Sequence, residues 1–160
     1  MGKILRIWLK QSAPLEPGLD AMLNLFVASR FVESDIEAVF QEYGLTRRQY
    51  NVLRILKGVY PGGHPRSEIA ARVLEQSPDV TRILDRLSEQ GFITRKRGKE
   101  DRRESLTVIT PKGIALADEI APRVIQFTRK LEKLLTQNGC KELSELCEKL
   151  YEEKIENHNA

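Results

Sequence analysis

Cysteine is scarce. Cys140 and Cys147 are the only two in 160 residues, too few for a disulfide framework. Seven positions apart on one helix, their Cα atoms would be separated by ~10 Å, beyond the ~7 Å a bridge tolerates. No intrachain disulfide is expected, the pair reads as small hydrophobes on an apolar stripe, and the expected compartment is the reducing cytoplasm. Histidine is as rare. His64 and His158 lie far apart in sequence and lack ligand spacing, so neither a metal site nor a cofactor is expected. No apolar run approaches the roughly 20 residues of a membrane span, and no membrane partner is expected. The segment Met1-Gly2-Lys3-Ile4-Leu5-Arg6-Ile7-Trp8-Leu9 is too short and interrupted for a secretory signal. Arg6 also stands where a myristoylation signal needs Ser or Thr. Paired acid–base groups, a glycine-rich phosphate loop and a nucleophile elbow are all missing, so an enzyme is not expected.

What the chain does have is positive charge in one place. The formal net charge is only +3. Yet Thr46–Gly113 holds 15 Lys/Arg against 8 Asp/Glu, while the remainder holds 11 against 15. A basic middle third flanked by acidic ends points to an anionic partner docking at the middle.

The apolar pattern divides the chain similarly. Residues 1–18 form a short apolar arm closed by Pro14 and by Pro17-Gly18. Leu19, Met22, Leu23, Phe26, Val27 and Phe31 recur at helical spacing, and that helix continues to about Gln41, with Gly44 ending it. Thr46 with Gln49 is a capping box, and Leu45 with Tyr50 is spaced as a hydrophobic staple. Val52, Leu53 and Leu56 give the next helix its inner face. Pro61-Gly62-Gly63-His64-Pro65 reads as a loop. Ser67 is placed to cap a short helix with Ile69, Ala70, Val73 and Leu74 inward. Ser77 then caps a helix with Pro78 at its first position. Val80, Ile83, Leu84 and Leu87 are its buried stripe, and Gly91 ends it. Two strand-like pieces, Phe92–Lys96 and Leu106–Ile109, flank a charged connection over 97–105. Thr110-Pro111 opens a long apolar series, Ile114, Ala117, Ile120, Val124, Phe127, Leu131 and Leu134, in which Pro122 is expected to kink or interrupt the helix. After Asn138-Gly139 a last helix carries Leu143, Leu146, Cys147 and Leu150.

The expected fold is therefore mostly α with a small β-hairpin: a winged helix-turn-helix lobe at 45–113, dimerisation helices at 19–42 and 111–157, and an arm at 1–18, all in one domain spanning 1–160. The helix at 77–90 stands in the recognition position, where its N-terminal residues would meet base edges in a major groove. With its stripe turned inward, Gln76, Ser77, Pro78, Asp79, Thr81, Arg82 and Arg86 are outward or flanking. Arg82 suits a bidentate contact to guanine. The spacing also allows Asp79 and Asp85 to pair with Arg82, with Asp85 beside Arg86 in sequence, giving a solvated face. The hairpin discriminates better. Arg95, Lys96, Arg97, Lys99, Arg102 and Arg103 place six cations within nine residues, and a narrow minor groove attracts inserted arginine. Asp101 is placed to hold the Arg103 guanidinium.

The run from Leu45 to Gly113 resembles the multiple-antibiotic-resistance regulator (MarR) family of prokaryotic transcription factors. The resemblance is carried by Thr46-x-x-Gln49-Tyr50-x-Val52-Leu53, Ser67-Glu68-Ile69-Ala70, Val80–Leu87, Gly91-Phe92-Ile93-Thr94-Arg95, Asp101-Arg102-Arg103 and Leu106–Gly113. All six occur in order, and the flanking helices extend the likeness over about 19–157. It implies an obligate homodimer with interlocked terminal helices, a repressor or activator on a pseudo-palindromic double-stranded DNA operator. It further implies Arg103 in the minor groove, Asp101 bracing the wing, residues 76–86 at the major groove, and a small aromatic or anionic effector that releases DNA. No residue identifies that effector. Phe26, Arg30, Phe31, Tyr50 and Arg54 are the candidate lining. The dimer also follows from the pattern alone, because apolar terminal helices outside the lobe must bury against something. Two alternatives stand beside this reading: a winged helix used for protein contacts, and a redox sensor acting through Cys140 and Cys147.

Overall fold

The computed structural model describes residues 3–10, 12–73, 80–97 and 105–159. Its elements are α1 (Lys3–Trp8), α2 (Pro17–Gln41), α3 (Arg47–Lys57), β1 (His64–Pro65), α4 (Arg66–Arg72), α5 (Val80–Glu89), β2 (Ile93–Arg97), β3 (Ser105–Ile109) and α6 (Pro111–Asn159). The fold is mostly helical with one small antiparallel sheet, in the order β1-β3-β2. The chain divides into two units, Met1–Ile114 and Ala115–Ala160.

In the first unit the core is built on α3. Thr46 begins this helix with both halves of a capping box: its Oγ1 accepts from the Gln49 backbone N–H, and its own N–H donates to Gln49 Oε1 at 2.8 Å. Such reciprocal capping satisfies two amides that a helix start otherwise leaves open. Leu45 and Tyr50 are both buried, and Tyr50 stacks on Phe40 of α2 with ring centroids 4.9 Å apart. Val52, Leu53 and Leu56 are fully buried, as are Ile69 of α4 and Leu87 of α5. α3, α4 and α5 pack on one another, and α3 and α4 pack on β3. Gly91, at φ +74, lets the chain reverse after α5, and the Phe92 N–H then donates back to the Leu87 carbonyl at 2.9 Å.

The structure corrects four local expectations. His64–Pro65 is not loop but a third strand, paired with Thr107 and Leu106 of β3. Two residues offer no alternation to read, and the pairing depends on Gly63, where a Cβ would collide with the Thr107 carbonyl. Ser67 does not cap α4. Pro65 holds that place without a side-chain bond, its fixed φ suiting a helix start. Ala70 of α4 is exposed rather than inward. α6 runs through Pro122 without interruption, and its backbone leaves helical geometry at Thr136 (φ 65, ψ 165). There Thr136 Oγ1 accepts from the Gly139 N–H at 3.3 Å. A hydroxyl bonding three residues ahead is an N-cap, so the last segment starts before Asn138-Gly139, not after it.

The second unit consists of α6 from Ala115 onward. Ala117 and Ile120 are buried, whereas Ile125, Leu134, Leu135, Leu143, Leu146, Leu150 and Tyr151 are exposed. Cys140 and Cys147 are free thiols, each half-buried.

Candidate nucleic-acid interface

α5 has the amphipathic character a recognition helix needs. Val80, Ile83, Leu84 and Leu87 point into the core, leaving Thr81, Arg82 and Arg86 on the exposed side. Two contacts fix this face to its neighbours. The Arg66 guanidinium at the start of α4 donates to Thr81 Oγ1 at 3.0 Å. Arg95 of β2 pairs with Asp85 of α5, Nη2 to Oδ1 at 2.6 Å. Asp85 thus reaches across to the wing, not along its own helix to Arg82 or Arg86 as local spacing suggests. Both partners of this pair are about half exposed, so it contributes little stability. Its effect is to orient one basic element against the other.

The wing strands run in strict antiparallel register, Ile93 opposite Ile109 and Arg97 opposite Ser105. Thr94, Arg95 and Lys96 are exposed along β2, while Ile93, Val108 and Ile109 anchor the strands in the core. The base of the wing is tied to the start of α6. Thr110 Oγ1 accepts from the Gly113 N–H at 3.1 Å. Lys112 Nζ donates to the Gln90 carbonyl at 2.8 Å and lies 4.8 Å over the Phe92 ring. Of the DNA-contact candidates, Thr81, Arg82, Arg86, Arg95 and Lys96 are brought onto these two adjoining elements, and the backbone of Arg97 ends β2. Gln76, Ser77, Pro78, Asp79, Lys99, Asp101, Arg102 and Arg103 lie outside the described residues.

Beside this face is a cavity of about 750 Å³ lined by Arg30, Glu33, Ser34 and Glu37 of α2, by Thr46 to Gln49, and by Arg82, Ile83 and Arg86 of α5. Among the five candidate ligand residues only Arg30 lines it. Tyr50 is occupied in the core against Phe40. Phe31 pairs with Trp8 of α1, ring centroids 6.3 Å apart. Phe26 and Arg54 are exposed elsewhere. Sequence reasoning did not single out Arg47, Arg48 or Glu37. The one available signal was the Arg47-Arg48 pair directly after the capping Thr46.

Three helices followed by an antiparallel wing define a winged helix-turn-helix protein. The sequence pattern of the MarR family matches residues 45–105. The HTH-type transcriptional regulator YwoH of Bacillus subtilis is 30% identical over 104 residues, covering 65% of this chain and 74% of its own length. The crystal structure of a MarR transcription factor from Planctomyces limnophilus is 30% identical with a TM-score of 0.65, covering 85% of this chain and 98% of that one. The transcriptional repressor CouR, solved bound to a 23-mer DNA duplex, is 25% identical with a TM-score of 0.73, covering 86% of this chain and 99% of that one. The chain belongs to the MarR family of DNA-binding transcription regulators.

Proposed function

We propose that this chain is a cytoplasmic homodimeric repressor that binds a pseudo-palindromic operator and is released by a small effector. Residues 45–113 are the DNA lobe, and 19–42 with 111–157 the dimerisation helices, joined by the arm at 1–18. Each lobe sets α5 in a major groove, with Arg82 reading a base and Thr81 and Arg86 at its flanks. Each wing places Arg95, Lys96 and the cations up to Arg103 over the adjoining minor groove. A twofold dimer then reads half-sites one turn apart, about 10–10.5 base pairs.

One observation carries the dimer. Eighteen large apolar side chains are exposed among the described residues, and Tyr60 alone of them belongs to the lobe. The rest lie on α1, α2, α6 and the segment following α1, where Phe26, Phe31, Leu134, Leu146 and Leu150 are each more than half exposed. Apolar surface on this scale marks an interface, and a second copy buries it in a closed twofold arrangement. The DNA-bound state of the related repressor CouR supports the operator reading.

Selection of bound duplexes from a random pool tests it. The expected product is an inverted repeat with half-sites one turn apart. Binding to it should also fall steeply with salt, each phosphate contact adding ~0.9 to the log–log slope. Recovery of a single unrepeated half-site would refute the dimeric reading.

A further inference from the structure

We propose that Arg66 is a further DNA-contact residue, and that it acts with Thr81 as one composite clamp on a single backbone phosphate at the N-terminal end of α5. The proposal rests on the reading of α5 as the helix that enters the groove. It adds a contact that comes from outside that helix.

Arg66 reaches α5 because of where β1 puts it. His64 and Pro65 pair with Thr107 and Leu106 of β3, and Pro65 passes directly into Arg66, the first residue of α4. Gly63 permits the approach, since a Cβ there would collide with the Thr107 carbonyl. The chain is thus held on the sheet one residue before Arg66. From that point the guanidinium donates through Nη1 to Thr81 Oγ1 at 3.0 Å. Thr81 is the second residue of α5, on the exposed side with Arg82 and Arg86.

Charge sets this contact apart from those of neighbouring arginines. Arg72 of α4 pairs with Glu68 at 2.6 Å, and Arg95 of β2 pairs with Asp85 at 2.6 Å. Each of those guanidiniums already faces a carboxylate. The partner of Arg66 is a neutral hydroxyl, and among the described residues no acid pairs with it. Its charge therefore stays exposed and uncompensated beside α5. A guanidinium carries several N–H donors, so one bond to Thr81 leaves most of the fork for phosphate oxygens. The hydroxyl is oriented as well. An oxygen that accepts from one side turns its own hydrogen elsewhere, and β-branched Thr81 is stiff about χ1 on a helix. Guanidinium and hydroxyl then offer donors from adjacent positions to oxygens of the same group. That group is a phosphate and not a base edge, because Arg66 starts from α4, outside the helix that the groove admits. Phosphate contacts fix register and leave sequence to be read by others, here Arg82.

Fluorescence anisotropy on the full chain tests the clamp, using the duplex recovered by selection and a mixed-sequence duplex. Arg66→Gln should weaken binding to both about equally, by about tenfold. It should also lower the slope of log affinity on log salt by ~0.9. Thr81→Val keeps the shape, removes the hydroxyl and should weaken binding by about fivefold. The double variant should bind within about twofold of Arg66→Gln alone, because both side chains hold one phosphate. Arg66→Lys keeps the charge and loses the fork, so it should keep the unmodified chain's slope at an intermediate affinity. Arg72→Gln, on the same helix but from a paired position, should move the slope less than half as far as Arg66→Gln. An unchanged slope in Arg66→Gln, losses that multiply in the double variant, or an equal slope change in Arg72→Gln overturns the proposal. A loss confined to the selected duplex makes Arg66 a base contact and overturns it too. So does a lowered melting temperature with DNA binding per folded chain unaltered, which is the mark of a purely structural residue. An unmodified chain that binds neither duplex counts against the reading of α5 itself. An unmodified chain that binds, with Arg66 variants that bind equally well, counts against the clamp alone.

Discussion

The lobe at 45–113 and the helices outside it treat apolar side chains in opposite ways. In the lobe, α3 and α5 bury Val52, Leu53, Leu56, Ile83, Leu84 and Leu87 almost completely, and Tyr60 is the one large apolar side chain left exposed among its described residues. On α2 and α6 the apolar positions stay open: Phe26 is 59% exposed, Leu146 60% and Leu150 62%. A lobe that completes its own core can present charge to a polyanion. A helix with an open apolar face still needs a partner. The lobe closes its own core and the helices outside it do not, and in the function proposed above that difference separates DNA reading from self-association.

The contrast can be broken at its strongest points first. Leu53→Ala and Leu87→Ala empty fully buried positions and should each destabilise the chain by ~2–5 kcal/mol in denaturant melts. Leu146→Ala, at an exposed site, should cost far less when measured on dilute monomer. Equal costs would erase the contrast. Phe26→Glu places a charge on the open face of α2. It should abolish self-association and lower operator affinity by about a hundredfold, as expected when two linked contacts become one, with the circular dichroism spectrum unchanged. Arg82→Ala should lose ~1–3 kcal/mol of operator binding and relax sequence preference at one position. An equal loss on random DNA would make it a phosphate contact. Asp85→Ala removes the half-exposed partner of Arg95 and should cost under ~1 kcal/mol of stability. Its larger trace should be a weaker wing contribution to DNA binding, read as a shallower salt slope.

The sequence was most legible where the deciding interactions are local. The capping box of Thr46 and Gln49 joins residues three apart, and the inward stripe of α5 repeats within one helix, so both could be read directly. The strand at His64–Pro65 could not. It is too short to show alternation, and its partners Leu106 and Thr107 lie some forty residues on. The partner of Asp85 was hidden for a similar reason. Helical spacing points to Arg82, whereas the turn at Gly91 brings Arg95 closer. Pro122 carries a strong breaker signal, yet the helix tolerates it and departs from regular geometry at Thr136, whose hydroxyl supplies a cap. The cavity was least visible. Aromatic residues drew the eye to Tyr50 and Phe31, but those rings are taken up by Phe40 and Trp8. The wall is made instead by charged residues from three separated segments, which no single stretch of sequence announces.

The central claim is that two chains, joined through the open faces of α2 and α6, place two cationic lobes on one duplex. Sedimentation velocity on the free chain, and on the chain with a duplex carrying two half-sites, tests it most directly. The account predicts a dimer before DNA is added and a complex of two chains per duplex afterwards. A free chain that sediments as a monomer, or a saturated complex with one chain per duplex, would contradict it.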